Sequence, residues 1–307
     1  MATKIWESCR KISDSLVGQK PDVATSESLH TAIDIFFVAR LAEILMPLTF
    51  RNRPALVAYL TCGDPSLEVT RDVALAAISA GADAIELGVP FSDPVADGPV
   101  IQRASERALA NGTTLEGVLR VGREIRRESN AGLIVFTYLN PILRFGLSRF
   151  CSAAADAGVD GALITDLPIE EAAEYIRCMR ERNLATVFLV APTSTDVRLK
   201  CIAELSTGFV YAVSRTGVTG ERGQLSQDAQ ELVRRLRKYT KLPIAVGFGI
   251  SNAEQFAGVG AYADAAVIGS AIVHAMEMNP NHEADAVRKF VSGLRKPQTA
   301  NMNTLRA

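Results

Sequence analysis

The chain has 307 residues with 48% hydrophobic and 22% charged side chains, the balance of a soluble globular protein with room for a large core. Its 33 basic and 34 acidic residues leave no excess charge for holding a nucleic acid or an anionic membrane surface. Five widely spaced cysteines without a C-x-x-C pair argue against a zinc site or a disulfide framework and for a reduced, cytoplasmic setting.

Residues 1–45 differ from the rest of the chain. They hold the single Trp, Trp6, then a polar stretch from Gly18 to Ser28. An apolar run comes next, with Ile33, Phe36, Phe37, Leu41, Ile44 and Leu45. Asp34, Arg40 and Glu43 interrupt this run, and it falls short of the roughly 20 apolar residues of a membrane span. The first thirty residues also lack the positive-then-apolar order of a secretory signal. The expectation is an N-terminal arm ending in a helix that caps the bottom of the domain, a specific interaction element being the other reading.

From residue 54 onward, short apolar, β-branched runs recur: 56–61, 83–88, 133–138, 161–166, 186–191, 209–214, 243–248 and 265–270. Each has the length of a strand and is too short for a helix. Amphipathic stretches lie between them at 67–79, 115–127, 169–182, 226–239 and 253–261. Near-continuous apolar strands alternating with helices describe βαβ units around a parallel sheet buried on both faces. Eight such units predict a single closed (β/α)₈ TIM barrel over 46–296, better than an open sheet with edges to protect. The 44-residue gap between the second and third runs accommodates an additional helix, 100–110 beside 115–127. Residues 297–307 read as a frayed tail.

Barrel enzymes carry their active sites at the C-terminal ends of the strands, which makes the residues closing each run candidates. These are Tyr59, Thr61, Glu86, Tyr138, Asp166, Tyr211, Ser214, Phe248, Gly249, Gly269 and Ser270. Glycine-containing segments come after the last three strands: SRTGVTG (214–220), GFGIS (247–251) and GSAIV (269–273). Backbone N–H groups at such loops and at a helix N-terminus cradle a phosphate, although glycine also merely turns βα corners.

The segment ELGVPFSDPVADGP, residues 86–99, sets three carboxylates among apolar and turn-forming residues. Glu86 closes a strand and Asp97 sits on the next loop, an arrangement in which two carboxyl groups in different environments divide acid and base work. The plain alternatives are a strand-end ion pair for Glu86, a helix cap for Asp97 and turn or cap chemistry for Asp93. The three histidines fall in the arm or beyond the last strand, so proton transfer is expected from Asp and Glu, with no metal site.

LTCGDP (60–65), ELGVPFSDPVADGPVIQ (86–102), TYLNP (137–141), TDLP (165–168), SRTGVTG, GFGIS and IGSAIV (268–273) resemble, in order and spacing, the tryptophan synthase alpha family. The likeness runs from about residue 50 to about 295; the N-terminal extension departs from the family, as does Cys62, where Ala is common. It implies a (β/α)₈ barrel and a lyase that cleaves indole-3-glycerol phosphate to indole and glyceraldehyde 3-phosphate without a cofactor.

By the same resemblance Glu86 is the general acid/base and Asp97 holds the indole N–H. Tyr211 hydrogen-bonds near Glu86; Tyr59 lines the indole pocket, with Tyr138 also among the substrate-binding residues. Gly220, Gly249, Gly269 and Ser270 bind the phosphate, and residues 214–225 form a lid bearing Thr219. A beta subunit carrying pyridoxal phosphate receives indole in an alpha2beta2 complex, with Asp93 facing it. A stand-alone lyase, or a silent sugar-phosphate-binding barrel that activates a partner, are the competing expectations.

Overall fold

The computed structural model describes residues 7, 9–12, 14, 40–46, 53–213, 225–247 and 249–295. Eight strands pair in sequence order, all parallel, into a closed barrel: β1 (Ala55–Thr61), β2 (Ala84–Gly88), β3 (Gly132–Thr137), β4 (Gly161–Ile164), β5 (Ala185–Val190), β6 (Val210–Val213), β7 (Ile244–Gly247) and β8 (Ala265–Ile268). The ring closes where Ala55 to Ala58 of β1 register with Ala265 to Ile268 of β8. This is the expected (β/α)₈ architecture. Several strands end earlier than their apolar runs: β4 stops at Ile164, and Thr165 and Asp166 turn out of the sheet.

The outer layer begins with α1 (Arg40–Leu45) and α2 (Leu67–Ser79). After β2 come α3 (Pro99–Ala110) and α4 (Leu115–Glu128), so the long gap does carry two helices. The series continues with α5 (Leu139–Phe145), α6 (Leu147–Asp156), α7 (Ala173–Glu181), α8 (Asp196–Leu205), α9 (Leu225–Leu236), α10 (Ala253–Val259), α11 (Ser270–Glu277) and α12 (Glu283–Leu294). The stretch 169–182, expected as one helix, is a 3₁₀ turn over Ile169–Glu171 and then α7. Short polar side chains start several helices: Ser66, Thr114 and Asn252 each accept from the backbone N–H three residues on. No helix among the described residues is long and apolar enough to cross a membrane.

Alternation of side chains across each strand fills the barrel interior with Val57, Ala84, Ile134, Leu163, Val187, Phe209, Ala245 and Ala265. At the N-terminal end, α1 pushes fully buried Leu41 into the opening. A β-carbon at Gly132 or Gly208 would come within 3.0 Å of the Leu41 methyls, so these glycines make room for the plug. Most of the arm expected over 1–45, and the tail, lie outside the described residues; within 7–14, Cys9 and Ile12 are buried against the outer core.

One device recurs around this end. Asp83, Asp160, Thr207 and Asp264 precede even-numbered strands. Each donates its backbone N–H to the carbonyl of a residue at the start of the preceding strand or next to it, respectively Leu56, Leu133, Thr186 and Ile244. In return each side chain accepts from that same residue's N–H, at 2.8, 2.7, 2.9 and 2.7 Å. The three aspartates also take an arginine: Arg295 on Asp83, Arg126 and Arg40 on Asp160, and Arg237 on Asp264. Reciprocal latches of this kind hold register at the end of the barrel opposite the C-terminal mouth.

Removing Asp160, whose side chain is 9% exposed, leaves the Leu133 N–H without its acceptor and takes the carboxylate partner from Arg126, 19% exposed, which keeps its bonds to the Gly158, Ser129 and Ala131 carbonyls. Asp160→Ala is therefore expected to lower the unfolding free energy by about 3 kcal/mol. Asp285→Ala, at an exposed pair with Arg288, is expected to stay within about 1 kcal/mol. Denaturant melts of the two variants beside the parent chain measure both.

Candidate active site

The C-terminal mouth of the barrel opens into a cavity of about 1070 Å³, at the upper end for small-molecule sites. Tyr59, Glu86, Asp97, Tyr211, Gly249, Gly269 and Ser270 all line it, so seven of the expected residues come together from five strands and their loops. Apolar walls come from Phe136, Leu189, Val213 and Val267. Ser214, Phe248, Thr219, Gly220 and the lid segment 214–224 lie outside the described residues.

Glu86 sits at the middle of β2, between Tyr59 of β1 and Ile134 of β3 in register. The pleat that sends Ile85 and Leu87 outward into the helix-facing core sends Glu86 inward. It is fully buried, and neither carboxyl oxygen has a hydrogen-bond partner among the described residues. Nor does an ion pair among those residues close on it, contrary to the strand-end alternative. Tyr211 does not hydrogen-bond Glu86 directly, although that ring lies close enough for the Glu86 charge to raise the phenol's pKa. Burial without compensation pushes the Glu86 carboxyl from its ordinary 4.5 up to about 8. Burial also raises the Tyr59 and Tyr211 phenols well above their usual value, so both stay neutral.

Asp97 is held differently. Its loop is a tight turn in which Asp97 N–H donates to the Pro94 carbonyl at 3.0 Å and Val95 N–H to the Asp93 carbonyl at 2.8 Å. Tyr138, just past β3, donates its hydroxyl to Asp97 Oδ2 at 3.0 Å and accepts from Ala96 N–H at 3.0 Å. Phe91 packs on the Tyr138 ring at 5.1 Å between centroids. The N-cap of helix α3 is Gly98, with no side-chain cap, so the cap alternative for Asp97 does not hold. Desolvation raises the Asp97 carboxyl to about 6, with the Tyr138 hydrogen bond opposing the rise.

Tyr138 itself is not among the residues lining the cavity; its hydroxyl bonds the Asp97 carboxyl and the Ala96 amide. Asp166 is exposed and accepts from Leu139 N–H at 2.7 Å, and buried Thr61 also lies outside the lining. His274, expected away from the strand ends, lines the cavity one turn into α11, with its Nδ1 3.5 Å from Glu277 Oε2.

The far side of the cavity is the anion end. α11 starts at Ser270, and the N–H groups of Ser270 and Ala271 have no acceptor within the helix, while those of Ile272 and Val273 turn back to the Gly269 carbonyl. Gly249 has φ +75°, which a side chain rarely adopts. Two other glycines carry a role that is absent from the sequence-based expectations. A β-carbon on Gly88 would stand 2.4 Å from the Tyr59 hydroxyl, and one on Gly247 would stand 2.2 Å from the Tyr211 hydroxyl. Both glycines close strands whose neighbours carry an inward tyrosine, and that pairing is the signal the sequence offers for them. Among the described residues, no group of three or more His, Cys, Asp or Glu is placed to hold a metal.

A family model described as tryptophan synthase alpha chain matches residues 45–302. The tryptophan synthase alpha chain of Solibacter usitatus is 53% identical over 247 residues, spanning 80% of this chain and 92% of that one. That of Pelobacter propionicus is 45% identical over 258 residues, 84% and 97% of the two chains. Among solved structures, tryptophan synthase from M. tuberculosis in a ligand-free form superposes with TM-score 0.76 at 36% identity, covering 83% of this chain and 97% of that one. A mutant tryptophan synthase alpha-subunit from Pyrococcus furiosus gives 0.74 at 40% identity, covering 79% and 98%.

The raised Glu86 carboxyl has a consequence for stability. The folded chain keeps this proton in a range where the unfolded chain has released it, so its contribution is fully present below about pH 4.5 and is lost as pH rises through about 8. Glu86→Gln removes the titration. Relative to the parent, the variant is expected to gain up to about 1.4 kcal/mol per pH unit across that window. Denaturant melts at pH 5 and pH 9 read the difference, and a gap that does not change with pH contradicts the burial of an ionisable group at this position.

Proposed function

The chain belongs to the tryptophan synthase alpha chain family, and from that premise we infer that its barrel cleaves indole-3-glycerol phosphate to indole and glyceraldehyde 3-phosphate. This carbon–carbon lyase step belongs to tryptophan biosynthesis and needs no cofactor of its own; pyridoxal phosphate is carried by the beta subunit. The observation that carries the residue assignment is the pairing of Glu86, buried and without a hydrogen-bond partner among the described residues, with Asp97 tethered by Tyr138 on the same cavity.

The bond to be broken joins an aromatic ring carbon to a carbon bearing a hydroxyl. It opens only once the ring carbon is protonated and the ring can accept the bond's electrons. Glu86, in its acid form near neutral pH, gives that proton. The positive charge then spreads to the ring N–H, where the Asp97 carboxylate faces it. Glu86, now a carboxylate, takes the proton of the hydroxyl next to the breaking bond. As that O–H bond becomes the aldehyde carbonyl, the carbon–carbon bond's electrons return to the ring and indole is released. One proton passes from hydroxyl to ring carbon through Glu86, with no net consumption.

Phe136, Leu189, Val213 and Val267 supply the apolar slot that an indole ring needs, and Tyr59 stands edge-on to Phe136 at 5.3 Å. Gly249, Gly269 and Ser270 receive the phosphate through backbone N–H groups, with Gly220 joining them and Thr219 belonging to a lid over 214–225 that excludes water. On the outside of the mouth, Asp93 is exposed on the same turn as Val95, which is 86% exposed. An apolar side chain exposed on the Asp97 loop supports a beta-subunit face there, in an alpha2beta2 complex of the cytoplasm. The barrel spans 46–296, with 1–45 as an extension and 297–307 as a tail.

Glu86→Gln is expected to abolish indole formation while phosphate-ligand binding stays nearly intact. Asp97→Asn is expected to lower turnover by a factor of roughly 10², and less than a tenfold loss removes Asp97 from the chemistry. The acid must be protonated and Asp97 ionised, so kcat/KM is expected to rise through about pH 6 and fall through about pH 8. Steady-state assays of indole release across pH check the three activities, and equilibrium binding of a phosphate ligand to the Glu86→Gln variant checks that its anion end is intact.

A further inference from the structure

The two ends of the cavity are carried by two helices that meet outside the barrel. Asp97 immediately precedes Gly98, the N-cap of α3, and Gly269 and Ser270 begin α11. Ala104 of α3 and Val273 of α11 are fully buried in one cluster with Tyr59, the ring that stands between the two ends. Beside this contact, Glu277 at the end of α11 accepts three hydrogen bonds from α3. Arg103 reaches it in a two-pronged contact at 3.1 and 2.9 Å, and Arg107 Nη1 adds a third at 3.1 Å. These bonds, Arg103 foremost, hold the Glu277 carboxyl well below the usual range, at about 2.

Arg107 does not stop there. Its Nε and Nη2 grip both oxygens of Asp64 at 2.8 Å each. Asp64 is buried in the loop after β1, the strand that carries Tyr59. Two carboxylates and two guanidinium groups thus tie α3, α11 and the β1 loop into a single unit, and none of the four side chains lines the cavity. Bidentate arginine–carboxylate contacts fix both distance and orientation, so two rigid helices joined this way have one relative position.

We propose that Glu277 is a positioning residue whose contacts with Arg103 and Arg107 set the distance between Asp97 and the Ser270 anion cradle. The network thereby acts as a length gauge for a ligand that must reach both ends at once. This rests on the assignment of Asp97 to the indole N–H and of Ser270 to the phosphate. A ligand touching one end only is indifferent to the separation, whereas a ligand bridging both is weakened by any mismatch, and misplacement of about 1 Å costs up to roughly 10²-fold in a bridged reaction.

The test compares bridging and single-ended ligands on Glu277→Ala and Glu277→Gln in the full chain. The bridging probes are indole-3-glycerol phosphate, for turnover, and a non-cleavable indole-alkyl phosphate, for affinity; the single-ended ones are indole and inorganic phosphate. Expected for Glu277→Ala is a loss of at least about tenfold in kcat/KM and in affinity for the bridging analogue. Affinities for indole and for phosphate are expected to stay within about twofold, and Glu277→Gln, which keeps an acceptor oxygen, to recover part of the loss. Equal losses on bridging and single-ended probes reveal a merely structural role and overturn the proposal, as does no loss on any of them. A parent chain that binds the bridging analogue but turns nothing over contradicts the lyase assignment while leaving the gauge to be decided by the binding comparison. If Glu277→Ala does not fold, the same comparison on Glu277→Gln and Arg103→Lys decides.

Discussion

Closure of the sheet between β1 and β8 is the constraint on which the remaining features depend. A closed ring of parallel strands leaves each residue two directions, into the barrel or out toward the helices, and the pleat assigns them alternately. Glu86 shares β2 with Ala84 and Gly88 on the inward side, so its carboxyl cannot turn to solvent without breaking register with Tyr59 and Ile134. The acid's shifted pKa is therefore a property of the barrel rather than of any residue that touches the carboxyl.

The second carboxyl obeys a different physics. Asp97 lies on a loop, where a side chain would ordinarily be solvated and mobile, and it is made part of the rigid site by one hydroxyl reaching over from the end of β3. The same hydroxyl takes the neighbouring amide of Ala96, so loop backbone and loop carboxyl are fixed by a single ring. That hydrogen bond favours the ionised form, while complete burial of Glu86 favours the neutral one. Two carboxyl groups on one cavity are thereby kept in opposite protonation states near neutral pH.

Much of this is legible in the sequence because it is local. The eight runs are short, apolar and bounded by turns, and Glu86 stands out as an acid inside one of them. The features that escape are set by contacts distant in the chain. Tyr138 closes an apolar run like any strand-end residue, and its partnership with Asp97 spans 41 positions. α5, at seven residues, is too short to show a helical period, and Gly146, at φ +92°, divides it from the ten-residue α6, whose buried face of Phe150, Cys151 and Ala154 is absent from the sequence-based expectations. His274 is remote from the strand ends along the chain but not in space, since α11 starts at the mouth and brings its first turn back over the cavity. The recurring Asp83, Asp160 and Asp264 are visible as letters before strands, but their shared role emerges only when each is seen bonded twice to the strand before it.

The two ends of the barrel differ in what their polar groups are permitted. At the N-terminal end every latch aspartate is satisfied several times over, by backbone amide and guanidinium together, which is the condition under which buried charge does not destabilise. At the C-terminal end Glu86 has no hydrogen-bond partner among the described residues, strand glycines replace side chains so that two tyrosine hydroxyls can enter, and helix α11 presents N–H groups with no acceptor in the helix. Each of these is a local loss in stability and each is a group held ready for a ligand. A fold that closes by backbone pairing and locks its register at one end can leave the other end unsatisfied, and the separation of these two tasks by the length of the strands allows a buried acid to survive in the middle of β2.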